Sequence, residues 1–199
     1  MDTNTTIDLI RHGQPVGGRR YRGQIDDPLS DLGWQQMRAA VGDHCPWNRI
    51  ISSPLSRCRA FAGELAERHS LPLQLEDRIK EVGFGGWEGQ TGAQLESADP
   101  GVLTRFYHDP IGHRPEGAEP LEDFFGRVNQ ALDEVLEAHR GEHVLLVTHA
   151  GVIRAVLTRV MQAPLSAMYR LHVETASITR IRMDGKRPLT LLFHGGSLT

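Results

Sequence analysis

Cysteine is scarce: Cys45 and Cys58 are the only two among 199 residues, and they do not form a CxxC pair. A disulfide framework and a structural zinc site both need more thiols at closer spacing, so two reduced thiols in a cytosolic protein are expected. No apolar run approaches the roughly 20 residues that span a bilayer. The first six residues, Met1-Asp2-Thr3-Asn4-Thr5-Thr6, lack the basic start and apolar stretch of a secretory signal, so a cytoplasmic location is expected. A basic excess is missing too. The 22 Lys and Arg side chains face 25 Asp and Glu, for a net charge of -3, and no block of one sign stands out. That balance argues against nucleic acid or an anionic membrane as main partner, because both need a basic surface. Repeats of fixed period, low-complexity tracts and a GxxxxGK[ST] phosphate loop are likewise absent.

What remains is a hydrophobic fraction of 39%, enough for a single domain over residues 1–199 with a real core. Residues 6–10 form a short apolar run that stops at Arg11-His12-Gly13, which reads as a buried strand opening into a loop. Residues 16–30, rich in Gly, Arg and Asp, should be irregular. Ser30 is a plausible N-cap for a helix carrying Leu32, Met37, Ala40 and Val41, with Gly33 weakening its first turn. Arg49–Ser52 reads as a strand, and Ser53-Pro54 as a turn with Pro54 at the first position of the next helix. Leu55, Cys58, Ala62, Leu65 and Ala66 then recur at helical spacing. Residues 71–75 suggest a short strand and 83–92 a glycine-dense loop; 121–139 predicts a long amphipathic helix. His143–Thr148 is a buried strand by composition, followed by a helix over 151–161 and closing strands at 177–183 and 189–194. Strands alternating with helices imply an α/β three-layer sandwich with a mostly parallel central sheet.

One kind of junction occurs three times: a strand delivers Arg11-His12-Gly13, another ends near Ser52-Ser53 with Arg57 following, and a third ends at Thr148-His149-Ala150-Gly151. If those strands are parallel neighbours, two arginines and two histidines converge beyond their carboxyl ends, where ligands collect in such sheets. Arginine offers phosphate a planar fork of donors, and a helix beginning near Gly151 adds N–H groups. A neutral imidazole there is a competent nucleophile, and the N–P bond it forms is labile to water. The arginines would spread the transferring charge, so no metal and no cofactor are required. The leaving alkoxide needs a proton, and Glu81 and Glu88 compete to supply it. His108 and His113, five apart, read as loop residues or contributors to substrate selection rather than metal ligands. His44, His69, His139, His143, His172 and His194 receive no role.

Leu9-Ile10-Arg11-His12-Gly13-Gln14 resembles the signature of the histidine phosphatase superfamily, in the branch with cofactor-dependent phosphoglycerate mutases. The resemblance continues through Gly23-Gln24-Ile25-Asp26-Asp27-Pro28-Leu29-Ser30 and Ile51-Ser52-Ser53-Pro54-Leu55-Ser56-Arg57. It resumes at Glu81-Val82-Gly83-Phe84-Gly85-Gly86-Trp87-Glu88-Gly89 and at Val147-Thr148-His149-Ala150-Gly151-Val152-Ile153-Arg154. The resemblance implies a phosphoglycerate mutase-like fold and a phosphorylated nucleophile at His12. It implies that Arg11, Arg57, His149 and Gly13 hold the phosphoryl group, that Gly23 and Gln24 meet the substrate, and that His149 joins the catalytic set. Glu81 is then the general acid and Glu88 a structural residue.

Within the family the chain is most similar to α-ribazole phosphatases of cobalamin biosynthesis. Its short length, Gly117-Ala118-Glu119-Pro120-Leu121-Glu122-Asp123-Phe124, Arg127-Val128 and the ending Leu191-Leu192-Phe193-His194-Gly195 carry that likeness. The implied activity is hydrolysis of a small-molecule phosphomonoester, with a broad-specificity or phosphoprotein phosphatase as one alternative and a catalytically weak binding domain as another. A mutase is less favoured, because mutases carry longer insertions around the site. The sequence sets no oligomeric state.

Overall fold

The computed structural model describes residues 4–198. The strands are β1 (Thr5–Arg11), β2 (Arg49–Ser52), β3 (Leu73–Leu75), β4 (His143–Thr148), β5 (Ile178–Met183) and β6 (Thr190–Gly196). The helices are α1 (Asp31–Val41), α2 (Ser56–His69), α3 (Gly92–Ala98), α4 (Val102–His108), α5 (Leu121–Ala138) and α6 (Ala150–Val160). The six strands form one sheet in the order β3-β2-β4-β1-β5-β6. The four from β3 to β1 are parallel, and β5 and β6 close the far edge antiparallel.

Side-chain alternation along the strands builds the three layers. Ile7, Leu9, Ile51, Val144 and Leu146 face α5 and α6, while Ile10, Ile50, Leu145 and Val147 face α1 and α2. Both faces being covered, the central strands read as continuous apolar runs rather than alternating ones. Among the described residues no helix is long and apolar enough to cross a membrane.

Several expectations shift. In α1 the buried face is Gly33, Met37, Ala40 and Val41, and Leu32 is 48% exposed. At about 100° per residue, position 33 rather than 32 shares a stripe with 37, 40 and 41. Ser30 does cap α1, accepting from Gly33 N–H at 3.1 Å. Pro54 lies before α2, which begins at Ser56; Leu55 is extended, with its N–H turned to the Ser53 hydroxyl at 3.3 Å. Strand β3 starts at Leu73, α5 ends at Ala138, and α6 begins at Ala150. The glycine-dense loop contains a short turn of 3-10 helix at Gly85–Trp87.

Two helices were not anticipated. Each has only seven residues, too few for a hydrophobic period to show. α3 nonetheless carries a readable start: Thr91 accepts from Gln94 N–H, and the Gln94 side chain reaches back to Thr91 N–H in a capping box.

Asp8, fully buried on β1, anchors the end of the sheet away from the His12 loop. It accepts from Arg180 at 2.7 and 2.9 Å, from Trp47 Nε1 at 2.9 Å and lies 3.0 Å from His143 Nε2. Burial alone would push this carboxyl up. The bonds from Arg180, His143 and Trp47 outweigh it and hold Asp8 below the usual carboxylate range.

Candidate active site

Strand β4 is the platform of the site. Arg11 pairs with Thr148 and Ser52 with Val147, so β1, β4 and β2 end at one level. The carbonyl of Thr148 accepts from His12 N–H and that of Val147 from Ser53 N–H, each at 3.0 Å. The last turn of one strand therefore fixes the loops leaving the other two.

His12 is 6% exposed, and its Nδ1 lies 2.8 Å from the Gly13 carbonyl. A carbonyl oxygen only accepts, so Nδ1 carries the proton and Nε2 keeps a bare lone pair. Burial first, then the charges of Arg57 and Arg11, hold this imidazole well below its ordinary range, which keeps it neutral. Gly13 is required by close approach: a Cβ there would fall 2.2 Å from the Gly33 carbonyl oxygen, at the start of α1.

His149 is fully buried, with its ring centroid 5.2 Å from that of His12 and the planes at 66°. Burial, Arg57, His12 and Arg11 keep it neutral in the same way. It occupies the N-cap position of α6 yet makes no capping bond with its side chain. Its Nε2 lies 2.8 Å from Ser53 Oγ instead.

Arg57 projects from the first turn of α2 and is 1% exposed. Its Nη1 and Nη2 donate to the carbonyls of Ile25 and Gly23 at 2.7 and 2.9 Å. Arg11 donates through Nη1 to Val173 at 2.6 Å. The Nε of both guanidiniums is buried without a partner. Burial pulls Arg11 down to about 10, which still leaves it charged at neutral pH. Two inward cations and two neutral imidazoles form an environment suited to a dianionic group.

Glu81 follows the 3-10 turn Asp77–Ile79. Thr148 Oγ1 donates to the Ile79 carbonyl at 3.0 Å, tying that turn to β4. Arg127 on α5 donates to the carbonyls of Arg78, Lys80 and Glu81, while its Nε and Nη2 hold Glu119 at 2.6 and 2.9 Å. The carboxylate of Glu81 accepts from Val82 N–H and from Gly151 N–H at the start of α6. Glu88, the rival acid, is spent on the main chain, accepting from Gln24 N–H at 3.1 Å and Phe84 N–H at 3.0 Å. That bond shapes the loop carrying Gly23, whose carbonyl holds Arg57. Gln24 is exposed, and its Nε2 lies 3.5 Å from the Glu81 carbonyl.

Arg11, His12, Gly13, Arg57, Glu81 and His149 thus meet at one end of the sheet, with Gly23 and Gln24 on the loop alongside. Ser53, Thr148, Gly33, Glu119 and Arg127 complete the frame, and sequence reasoning gave them no role in it; Gly151, whose N–H was expected to serve the anion, donates to Glu81 instead. The signal for Ser53 was its place directly after a buried strand, at the same kind of junction as His12 and His149.

The segment after Glu81 is walled by aromatics. Phe106 of α4 is fully buried, its ring 5.1 Å from Trp87 and 4.7 Å from Tyr169. Arg114 ties the same region to the Gly83 and Glu119 carbonyls at 2.9 and 2.8 Å. His108 turns its Nδ1 to the Thr104 carbonyl at 2.8 Å. Among the described residues no three His, Cys, Asp or Glu side chains gather to hold a metal ion.

Residues 7–194 match the model of the histidine phosphatase superfamily, branch 1. A bifunctional protein of Mycobacterium tuberculosis is 33% identical over 203 residues, which cover 98% of this chain and 56% of that protein. The chain therefore spans little more than half the length of that relative. Phosphoserine phosphatase 1 of Hydrogenobacter thermophilus is 31% identical over 189 residues, covering 92% of this chain and 89% of that protein. A solved structure of mycobacterial glucosyl-3-phosphoglycerate phosphatase with VO3 has a TM-score of 0.86 at 29% identity, over 96% of this chain and 99% of that one. The family model covers nearly the whole chain, and the chain belongs to branch 1 of the histidine phosphatase superfamily.

Proposed function

We propose that the chain hydrolyses small phosphomonoesters through a phosphohistidine on His12. The observation that carries this reading is the bare Nε2 of a neutral His12, set among two arginines whose Nε donors are buried and unpartnered. In the first step Nε2 attacks phosphorus and the P–O ester bond breaks. Arg11, Arg57 and His149 donate to the phosphoryl oxygens, and Glu81 gives a proton to the leaving alkoxide. In the second step water attacks phosphorus, Glu81 takes the proton from that water, and the N–P bond breaks to release inorganic phosphate.

The residues that suggested α-ribazole 5′-phosphate serve the scaffold. Glu119 and Arg127 hold the Glu81 turn, Phe193 lies under the Arg180 guanidinium, and His194 bonds Thr179 and the His172 carbonyl. Two of the relatives are named for phosphate esters of small carboxylic acids, and such esters are the first to test. The docking of residues 90–120 around Phe106 and Arg114 favours a small substrate over a phosphoprotein.

The test is steady-state hydrolysis of phosphoserine, phosphoglycerates, glucosyl-3-phosphoglycerate, α-ribazole 5′-phosphate, nucleotides and a phosphopeptide, with His12→Ala as control. The physiological ester should stand at least about a hundredfold above the rest in kcat/KM, roughly 3 kcal/mol of extra transition-state stabilisation. Turnover surviving in His12→Ala removes the phosphohistidine. No turnover of anything by the native chain leaves a phosphate-binding domain.

A further inference from the structure

Ser53 and His149 are both fully buried, and Ser53 Oγ lies 2.8 Å from His149 Nε2. The same oxygen accepts from Leu55 N–H at 3.3 Å. A backbone N–H can only donate, so it occupies one lone pair of the hydroxyl and leaves the hydroxyl proton needing an acceptor. Two candidates are adjacent: the imidazole nitrogen and the Cys58 sulfur, which also neighbours Ser53. Thiol sulfur is a weak acceptor, and an unprotonated imidazole nitrogen is a strong one.

Cys58 does not compete as a donor to the ring. Its Sγ lies 3.4 Å from the Thr148 carbonyl, against 3.6 and 3.9 Å from the two nitrogens of His149. The carbonyl is the better acceptor, and burial pushes the thiol up so that it keeps its proton. The opposite arrangement, with His149 Nε2–H donating to Ser53, would leave the hydroxyl proton only the weak acceptor Cys58 Sγ.

We propose that Ser53 is a positioning residue: its hydroxyl relays Leu55 N–H to His149 Nε2 and so holds His149 as the Nδ1–H tautomer, ready to donate to a phosphoryl oxygen. The contribution to turnover rests on the function proposed above, whereas the tautomer itself does not. The site thus uses two histidines of matched tautomer for opposite tasks. In His12 a carbonyl fixes the proton on Nδ1 and frees Nε2 as nucleophile; in His149 a hydroxyl occupies Nε2 and leaves Nδ1–H as donor.

Long-range 1H–15N spectra of the uniformly 15N-labelled chain test this directly, with His149 assigned by the signals missing in His149→Asn. The native protein should show His149 with a pyridine-type Nε2 and a pyrrole-type Nδ1. A pyrrole-type Nε2 overturns the proposal without any variant being made, whatever the activity. Ser53→Ala should lose the single tautomer and lower kcat about tenfold or more, with KM changed by less than about threefold. Ser53→Thr, which keeps a hydroxyl, should restore both. An unchanged tautomer or an unchanged kcat in folded Ser53→Ala overturns it. Native-like turnover in His12→Ala would instead strike the phosphohistidine reading and leave the tautomer result standing.

Discussion

Glu81 and Gly151 meet so closely that the glycine is a condition of the carboxylate's position. Oε1 and Oε2 lie 3.1 and 3.2 Å from Gly151 N, and a Cβ on Gly151 would stand 2.1 Å from Oε1. Gly151→Ala should therefore displace Glu81, while in this first turn of α6 the gain in helix propensity stays below about 1 kcal/mol. The expected outcome is a melting temperature within a few degrees of native and a kcat on alkyl phosphates at least about tenfold lower. Thermal unfolding followed by circular dichroism and steady-state assay check the two halves.

Glu81→Gln removes the proposed proton donor and leaves the two backbone N–H groups with an acceptor. Turnover of alkyl phosphates should fall by about a hundredfold or more, because an alkoxide leaves poorly without protonation. p-Nitrophenyl phosphate, whose phenolate leaves unaided, should lose far less. Equal losses for both esters would count against the acid role.

If His12 is the nucleophile, its depressed imidazole sets the acid limb of the rate. An ordinary histidine nucleophile would lose activity as pH falls through about 6.5. Both His12 and His149 are held well below that value, so the neutral nucleophile survives into more acidic solution. In a profile of kcat/KM, which reports the free enzyme, no fall attributable to His12 should occur between pH 7 and about 6 once the ionisation of the substrate phosphate is accounted for. A limb with its midpoint near 6.5 that vanishes in no other variant of the site would contradict the buried, neutral state.

Asp8→Asn breaks a buried carboxylate–guanidinium pair far from the reaction. Loss of about 2–4 kcal/mol is expected, since Arg180 is only partly exposed and forfeits its counter-charge. Because the folded carboxyl is depressed, its stabilisation is fully present above the unfolded value of about 3.9. It is lost as pH falls through the lower folded value. Urea unfolding at neutral pH and near pH 3 should show the native chain losing part of its margin over the variant at the lower pH. The kcat of the folded variant should match native.

The strands and the three junctions were legible because both carry local signals. Val144-Leu145-Leu146-Val147 is apolar on both faces because helices cover both, and each strand ends at an abrupt polar boundary. Pairing β1, β4 and β2 as parallel neighbours was an assumption in the sequence and is a fact of the register. Residues 90–120 stayed dark because α3 and α4 are too short to show a period, although the Thr91–Gln94 cap was there to be read. Leu32 is apolar but lies off the buried stripe of α1, because helical angle and not hydrophobicity decides which side chains face the sheet. The frame of the site, from Thr148 through Glu119 to Arg127, could not be inferred. Its hydrogen bonds join segments far apart in sequence, and most of them end on backbone carbonyls that no side-chain pattern encodes.

The central place of β4 bears on when the site comes into being. Strands β1 and β2 do not pair with each other; residues 143–148 must slide between them before His12 and Arg57 share a support. A chain emerging during synthesis carries His12, Arg57 and Glu81 well before it carries the strand that gathers them. Closing that long loop is among the slower events of folding. The first 140 residues thus hold most of the candidate site in parts, and recovery of any turnover on refolding should mark the insertion of the middle strand rather than the first collapse of the chain.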